Sequence, residues 1–178
     1  RIKSINVDKA LALPGVKAVM TAKDLVELPL DKPILVGIAD MRWICRNVMA
    51  RDKVLFAGHP VAAVAATTAR IAAAATKLIE VEYEVLPWVI DVDEAMKPDA
   101  PLLYEDMITR GVDPAPGKSS NVSKRMEFKI GDLEAGFASA DEIVEMSFKT
   151  APVHQGYIEP QACLARFDHD GQAEVWSA

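Results

Sequence analysis

A short polar cluster at 154–160, with the sequence HQGYIEP, contains the side chains best suited to chemistry in this chain. It groups the imidazole of His154, an amide, the phenol of Tyr157 and the carboxylate of Glu159, while Gly156 permits a close backbone approach. Side chains of these types can bind or orient a substrate or a cofactor. Polar residues are also common where strands begin, and no cofactor fingerprint accompanies these. From the residues alone, both interpretations stay open.

Two other histidines have structural explanations that we favour. Asp168, His169 and Asp170 are adjacent in sequence, so their side chains diverge, which is typical of a turn rather than of a metal site. His59 lies between a glycine and a proline, and no cysteine, serine or carboxylate stands at an informative spacing from it. We predict that it is a structural turn residue.

The remaining candidates are three glutamates and a cysteine. Glu80, Glu82 and Glu84 share one face of a predicted strand, whereas a hard cation draws oxygen ligands from several elements, so a solvated face is the better explanation. Cys45 has no base nearby in sequence, and we expect it to pack in a core or against a partner. No phosphate-binding loop, dinucleotide fingerprint, zinc motif or nucleophile elbow occurs. We therefore predict no catalytic residue, no cofactor-binding residue and no metal ligand.

The clearest secondary-structure pattern is a strand, a helix and a second strand. Residues 61–66 form an apolar run of strand length, and 68–78 carry apolar side chains at helical spacing after a cap at Thr67 or Thr68. Alternation of apolar residues and glutamates then predicts a strand over 80–85. Because the three elements follow so closely, we predict a β-α-β crossover unit with both strands parallel in one sheet. The predicted fold class is α/β, or mixed α+β.

The helix of this unit should have one buried and one solvated face. Ile71 and Leu78 lie on the apolar stripe and are expected to be buried on the sheet, while Arg70 and Lys77 face water.

Composition limits the classes of function. The chain has 178 residues, 51% of them hydrophobic, and a net charge of −6 without any dense run of Lys or Arg, which argues against a nucleic acid partner. No apolar segment reaches the roughly 18 residues that a membrane span needs. The two cysteines, Cys45 and Cys163, are far apart and form no CxxC motif, which favours a reducing, cytoplasmic location.

Prolines and glycines divide the rest of the chain. They predict an irregular connection over 28–40 and a linker over 99–123, with a domain boundary near Pro116. Beyond the linker we predict a strand over 124–130, a helix over 132–139, a strand over 142–150, and a hairpin of 157–167 with 173–176.

Five segments in series closely resemble one enzyme family. They are PGVKAVMTAKDL (14–25), KVLFAGHPVAAVAA (53–66), IEVEYEVLPWVIDVDEAM (79–96), GDLEAGFASAD (131–141) and VHQGYIEPQACLARFDHDGQAEVWSA (153–178). The chain resembles the large subunit of the molybdenum hydroxylases, the xanthine dehydrogenase and aldehyde oxidase family, which includes the large chain of carbon monoxide dehydrogenase. The segments span nearly the whole chain in the family's order.

The resemblance implies that 1–116 is an α/β hammerhead domain and that 117–178 is the N-terminal portion of the molybdenum-cofactor-binding domain. The family's glutamine at the molybdenum centre, its glycine-rich loop and its glutamate base come later and do not occur in this sequence. The resemblance thus transfers no catalytic residue. Glu159, within YIEPQ, matches a recurrent family motif, to which we assign a supporting role.

Two hypotheses of function follow. The first is that the chain is a non-catalytic fragment of a molybdenum hydroxylase large subunit, an expectation that its start at Arg1 and its last strand near Trp176 also suggest. The resemblance then implies a molybdopterin cofactor in the parent protein, with iron–sulfur clusters and FAD on other domains or subunits, and partners that include the rest of the subunit or another copy. The second hypothesis is a free-standing binding or assembly module with the hammerhead fold.

Overall fold

The computed structural model describes residues 1–29, 34–36 and 39–178, which form two compact units, Arg1–Glu127 and Phe128–Ala178. In chain order the first unit contains β1 (Ile2–Asn6), α1 (Asp8–Leu11), β2 (Val16–Thr21), a 3₁₀ turn (Ala22–Asp24), β3 (Leu35–Val36), β4 (Ala39–Asp40), α2 (Met41–Val48), β5 (Ala62–Ala66), α3 (Ala69–Thr76), β6 (Glu80–Tyr83) and α4 (Val92–Ala95). The predicted irregular connection over 28–40 falls partly on residues 30–33 and 37–38, outside the described residues, and its described part contains the two short strands β3 and β4. Each helix in the described ranges is too short or too polar to cross a bilayer.

The strands of the first unit pair as antiparallel ladders. Strand β1 pairs with β6, so that Ile5 lies opposite Val81, and β2 pairs with β5, so that Val19 lies opposite Val64. Strands β3 and β4 form a short antiparallel pair of their own. The two longer ladders therefore each join a strand from the start of the chain to a strand of the central strand–helix–strand segment.

The predicted order of strand, helix and strand is confirmed, but the predicted parallel pairing is wrong. Strands β5 and β6 lie in different two-stranded sheets. The crossover rule applies only to strands that share a sheet, and here β6 pairs with β1 while β5 pairs with β2. Alternating burial along β5 also shows that one of its faces is half-buried and the other is exposed.

Helix α3 packs on β5 and β2 as an amphipathic element. Thr68 caps it, as predicted, because its hydroxyl accepts a hydrogen bond from the backbone N–H of Ile71 at 3.2 Å. Ala75 is fully buried, and Ile71 is half-buried. Leu78, just beyond the helix, is also half-buried rather than buried. The stripe thus faces the predicted way, and its small residue makes the closest approach.

A close contact holds α3 against the turn before β2. Gly15 has a φ of +93° there, and a Cβ added to it would lie 2.7 Å from Cδ1 of Ile71. Its carbonyl accepts a hydrogen bond from the N–H of Thr67 at 2.8 Å. The backbone conformation therefore favours glycine, and a side chain at this position would have to displace the end of the Ile71 side chain.

The proline-rich stretch after α4 is held by one amide side chain. Asn121 Nδ2 donates to the carbonyls of Ala95 and Pro101, each at 3.0 Å, and its Oδ1 accepts from the N–H of Leu103 at 2.9 Å. Much of the predicted linker is therefore tied to the first unit. The domain boundary near Pro116 stays a prediction.

The second unit contains the helix α5 (Leu133–Ala138) and an antiparallel hairpin of β7 (Cys163–Phe167) and β8 (Ala173–Ser177). The predicted helix and hairpin are thus confirmed. The strands predicted over 124–130 and 142–150 are not formed, because no strand of the described chain pairs with either segment, apart from an isolated bridge at Lys124. Every residue of Phe128–Ala178 is exposed, so this unit builds no core of its own.

Candidate functional site

The most closely connected charged residues of the first unit lie at the start of helix α2. The Asp40 side chain, only 1% exposed, accepts a hydrogen bond from the backbone N–H of Arg42 at 3.1 Å and so caps the helix. The same carboxylate accepts from Nε of Arg42 at 3.0 Å and from Nη2 at 2.6 Å. Hydrogen bonding from the Arg42 side chain lowers the pKa of Asp40 from 3.8 to about 2. Asp40 is therefore a fixed anion at neutral pH and has no proton to give as a general acid.

One turn further along α2, Arg46 joins the helix to the segment around Asp106. Its two terminal nitrogens each donate to one oxygen of Asp106 at 2.8 Å, and this bonding lowers the pKa of Asp106. The guanidinium group lies 4.9 Å from the ring centroid of Trp43 and 5.7 Å from that of Tyr104. The two rings pack edge to face, and the Tyr104 hydroxyl donates to the side-chain oxygen of Asn47. This group of residues clamps two segments together.

His59 is held from two sides behind this helix. Its Nδ1 accepts from the backbone N–H of Leu55 at 3.2 Å, and its Nε2 lies 3.2 Å from the carbonyl oxygen of Arg46. A carbonyl cannot donate, so this arrangement requires the neutral ring with its hydrogen on Nε2. The ring stacks on Phe56, and burial lowers its pKa. The prediction that His59 is a structural residue of the turn is confirmed.

A cavity of about 590 Å³ lies beside α2 in the first unit. Its apolar wall includes Leu25, Val26, Met49, Leu55 and Leu103. Two cations on the wall have partners within the protein: Arg51 donates to the Leu25 carbonyl at 3.2 Å, and Lys53 to Glu105 at 3.0 Å. The free thiol of Cys45 also lines the cavity and is half-buried, as expected for a packing role.

The three glutamates of β6 and its end face polar side chains at the start of the chain. Glu80 pairs with Lys9, Glu82 accepts from the Ser4 hydroxyl at 3.4 Å, and Glu84 pairs with Lys3 at 3.1 Å and Arg1 at 3.3 Å. Hydrogen bonding from Lys3 lowers the pKa of Glu84. The row therefore forms polar pairs at the surface with β1, the residue before it and helix α1, and is not a cluster of cation ligands.

The polar cluster at 154–160 is exposed throughout. His154 accepts from the backbone N–H of Gly156 through Nδ1 at 2.9 Å, and its ring meets that of Tyr157 edge to face at 5.1 Å. These contacts are local to one turn. They bring together His154 and Tyr157 but form no enclosed site around Glu159.

The residues Asp168, His169 and Asp170 form the turn of the β7–β8 hairpin, as predicted. The N–H of Asp168 donates to the carbonyl of Gln172 at 2.9 Å, and the Asp168 carboxylate accepts from Arg166 at 3.1 and 3.0 Å. The Asp168 carboxylate oxygens thus accept hydrogen bonds from within the hairpin.

The residues do not fit a molybdenum-cofactor site by themselves. In the parts of the chain that the structure describes, no three His, Cys, Asp or Glu side chains are grouped so that they could bind a metal ion. A molybdopterin needs a surrounding pocket, whereas every residue of 128–178 is exposed. We therefore assign no reaction step to this chain's residues.

Comparison with known proteins identifies both regions of the chain. Residues 1–87 match the family model described as aldehyde oxidase and xanthine dehydrogenase, a/b hammerhead domain. Residues 115–178 match the model of the molybdopterin cofactor-binding domain. Both matches lie in the order expected from the resemblance.

Individual relatives agree with the family models. The chain is 40% identical to the carbon monoxide dehydrogenase large chain of Afipia carboxidovorans, an alignment that covers 99% of this chain and 22% of that protein. It is 32% identical to a probable hypoxanthine oxidase of Escherichia coli O157:H7, over 95% of this chain and 20% of that protein. The chain thus spans about a fifth of the length of these curated relatives.

A solved structure gives the same result for the fold. Reconstituted CO dehydrogenase from Oligotropha carboxidovorans superposes with a TM-score of 0.75 at 38% identity, over 99% of this chain and 22% of that one. The mixed α/β architecture with small sheets is therefore that of a hammerhead-type domain. The chain belongs to the aldehyde oxidase and xanthine dehydrogenase family, and it corresponds to the hammerhead domain and the first part of the molybdopterin-binding domain of the molybdenum hydroxylase large subunit.

Proposed function

We propose that this chain is a structural, non-catalytic part of a molybdenum hydroxylase, with 1–116 as the hammerhead domain and 117–178 as the opening part of the cofactor-binding domain. The observation that carries the proposal is the collinear match of both regions to a carbon monoxide dehydrogenase large chain over 99% of this chain. A free-standing module that shared only the hammerhead fold would have no reason to match in its second region as well.

The exposed apolar surface of the second unit supports this role. Ile130 is 94% exposed, Phe148 85% and Ile158 100%. Soluble proteins rarely leave such residues uncovered in large numbers, because each gains free energy when it is removed from water. The partner we propose for this surface is the remainder of the molybdenum-binding subunit.

The proposal extends to the parent protein. Its reaction would be the oxidation of carbon monoxide, a heterocycle or an aldehyde on a molybdopterin-type molybdenum cofactor, which supplies the redox chemistry. Iron–sulfur clusters and FAD would be carried on other domains or subunits. The parent protein would also form a homo-oligomer. The assembly would be located in the cytoplasm, a reducing compartment that the two free cysteines favour.

Assays of the purified chain test the non-catalytic role. Elemental analysis should find no stoichiometric molybdenum, and the chain should oxidise neither xanthine-like heterocycles nor aldehydes nor carbon monoxide with a dye as electron acceptor. Bound molybdenum or turnover by the 178-residue chain would contradict the proposal. The length of the native reading frame distinguishes the two hypotheses, a part of a large subunit and a free-standing module.

Hydrogen exchange tests the proposed partner. In the chain alone, amides of 163–167 and 173–177 should exchange faster than those of 62–66, because a two-stranded hairpin without a covered face is marginally stable. Addition of the remaining portion of the carbon monoxide dehydrogenase large chain should slow exchange in the hairpin. The amides of 62–66 are the internal control. Equal exchange with and without that portion would argue against a shared subunit.

A further inference from the structure

The His59 ring connects two residues that both line the cavity of the first unit. Leu55 stands on the turn before His59, and Arg46 stands on helix α2, thirteen positions earlier than the histidine. The imidazole bonds the N–H of one and the carbonyl of the other, each at 3.2 Å. The His59 side chain therefore links Leu55 to α2, beside a backbone hydrogen bond from the N–H of Ala50 to the carbonyl of Pro60 at 2.7 Å.

The bridge works only while the ring is neutral. Nδ1 accepts the Leu55 N–H through its lone pair, and a proton on Nδ1 would place two donors against each other. The Leu55 N–H would then lose its acceptor, although the Nε2 bond to the Arg46 carbonyl would remain. A change of one proton thus breaks one of the two connections.

The charged groups around the ring do not offset this effect. On α2, the Arg46 guanidinium is engaged with Asp106, and the turn 55–59 itself carries no charged residue besides the histidine. Among the described residues, the influences on the pKa of His59 are burial, which lowers it, and the Arg46 carbonyl, which raises it.

We propose that His59 is an acid-sensitive latch whose protonation releases Leu55 from helix α2 and loosens that wall of the cavity. The neutral ring holds the observed arrangement. Because burial lowers the pKa of His59, the pH must fall below the ordinary histidine value of about 6.5 to release it.

Nuclear magnetic resonance on the labelled, full 178-residue chain tests the latch directly. Long-range correlations to the ring nitrogens should show the hydrogen on Nε2 of His59 at neutral pH. As His59 titrates, the exchange protection of the Leu55 amide, corrected for the intrinsic effect of pH, should fall about tenfold, the effect of losing one buried hydrogen bond. A hydrogen on Nδ1, or protection at Leu55 that is unchanged while His59 titrates, would overturn the proposal.

Two variants separate the latch from general effects of acid. His59→Asn retains an acceptor near the backbone but does not titrate, so Leu55 protection should lose its pH dependence. His169→Asn changes an exposed turn residue and should keep the dependence of the wild type. If His169→Asn abolished it instead, the latch would be wrong. Should His59→Asn fail to fold, the ring tautomer and Leu55 protection of the wild type decide the question.

Discussion

Asp40→Ala is expected to destabilise the first unit strongly, because one buried carboxylate has two structural roles. The substitution removes the cap of helix α2, which contributes about 1 kcal/mol to stability. It also removes the charge-assisted hydrogen bonds from the Arg42 side chain, worth about 1.5–3 kcal/mol for a buried acceptor. We therefore expect the free energy of unfolding to fall by about 2.5–4 kcal/mol.

Asp40→Asn separates the two roles. Asparagine caps helices about as well as aspartate, so this variant should lose only the part that depends on charge, about 1.5–3 kcal/mol. Urea denaturation followed by circular dichroism and by tryptophan fluorescence measures both variants against the wild type.

The dependence on pH supplies a second test of the same carboxylate. The pKa of Asp40 in the folded protein is about 2, below the ordinary 3.8, so the unfolded state binds more protons as the solution becomes acidic. The stability that the charge contributes is therefore complete above pH 3.8 and is lost as the pH falls toward about 2. The difference between the wild type and Asp40→Asn should shrink over that range.

Two results would refute this reasoning. One is an Asp40→Ala variant that unfolds within about 0.5 kcal/mol of the wild type, the range of ordinary surface substitutions. The other is an equal loss in the alanine and asparagine variants, since that would leave no separate contribution from the cap.

Two further substitutions test close contacts of the first unit by the same denaturation assay. Gly15→Ala should cost about 2–4 kcal/mol, because φ is +93° and Cδ1 of Ile71 would lie 2.7 Å from the new Cβ. Gly58→Ala, at a φ of +84° in open space, should cost only about 1–2 kcal/mol of backbone strain. Equal losses in the two variants would mean that the Ile71 contact relaxes freely. Arg46→Lys keeps the charge but loses the two-pronged bond to Asp106, so a loss of about 1 kcal/mol is expected, and an unchanged midpoint would contradict the clamp.

Local sequence signals predicted the elements of the fold better than their pairing. The Thr68 cap, the helix that follows it and the β7–β8 hairpin were all predicted, because each depends on residues close together in sequence. The predicted pairing of β5 with β6 was wrong because each of these strands pairs instead with a strand that is distant in sequence. Strands β1 and β2 have only weak alternation of apolar and polar residues, and their sequences do not predict the antiparallel ladders that they form.

The same limit applies to the site. His59 was correctly predicted as a turn residue, since its neighbours Gly58 and Pro60 show the turn directly. The bond between Arg46 and Asp106 joins residues 60 positions apart, and no spacing rule covers such a pair. The Asp40 cap could have been found, because an aspartate immediately before a helix is a common starting signal.

The segment 142–150 shows what the alternation of apolar and polar residues can and cannot predict. Ile143, Val144, Met146 and Phe148 are all well exposed, and the segment pairs with no strand of the described chain. Alternation records which side chains gain free energy from burial once a strand exists, whereas a strand exists only where a second backbone supplies hydrogen-bond partners. The prediction was therefore wrong for the secondary structure of the segment in this chain. Its apolar side chains remain the surface that a partner from the same subunit is proposed to cover. Protection of the backbone amides of this segment from exchange should appear only in the presence of that partner.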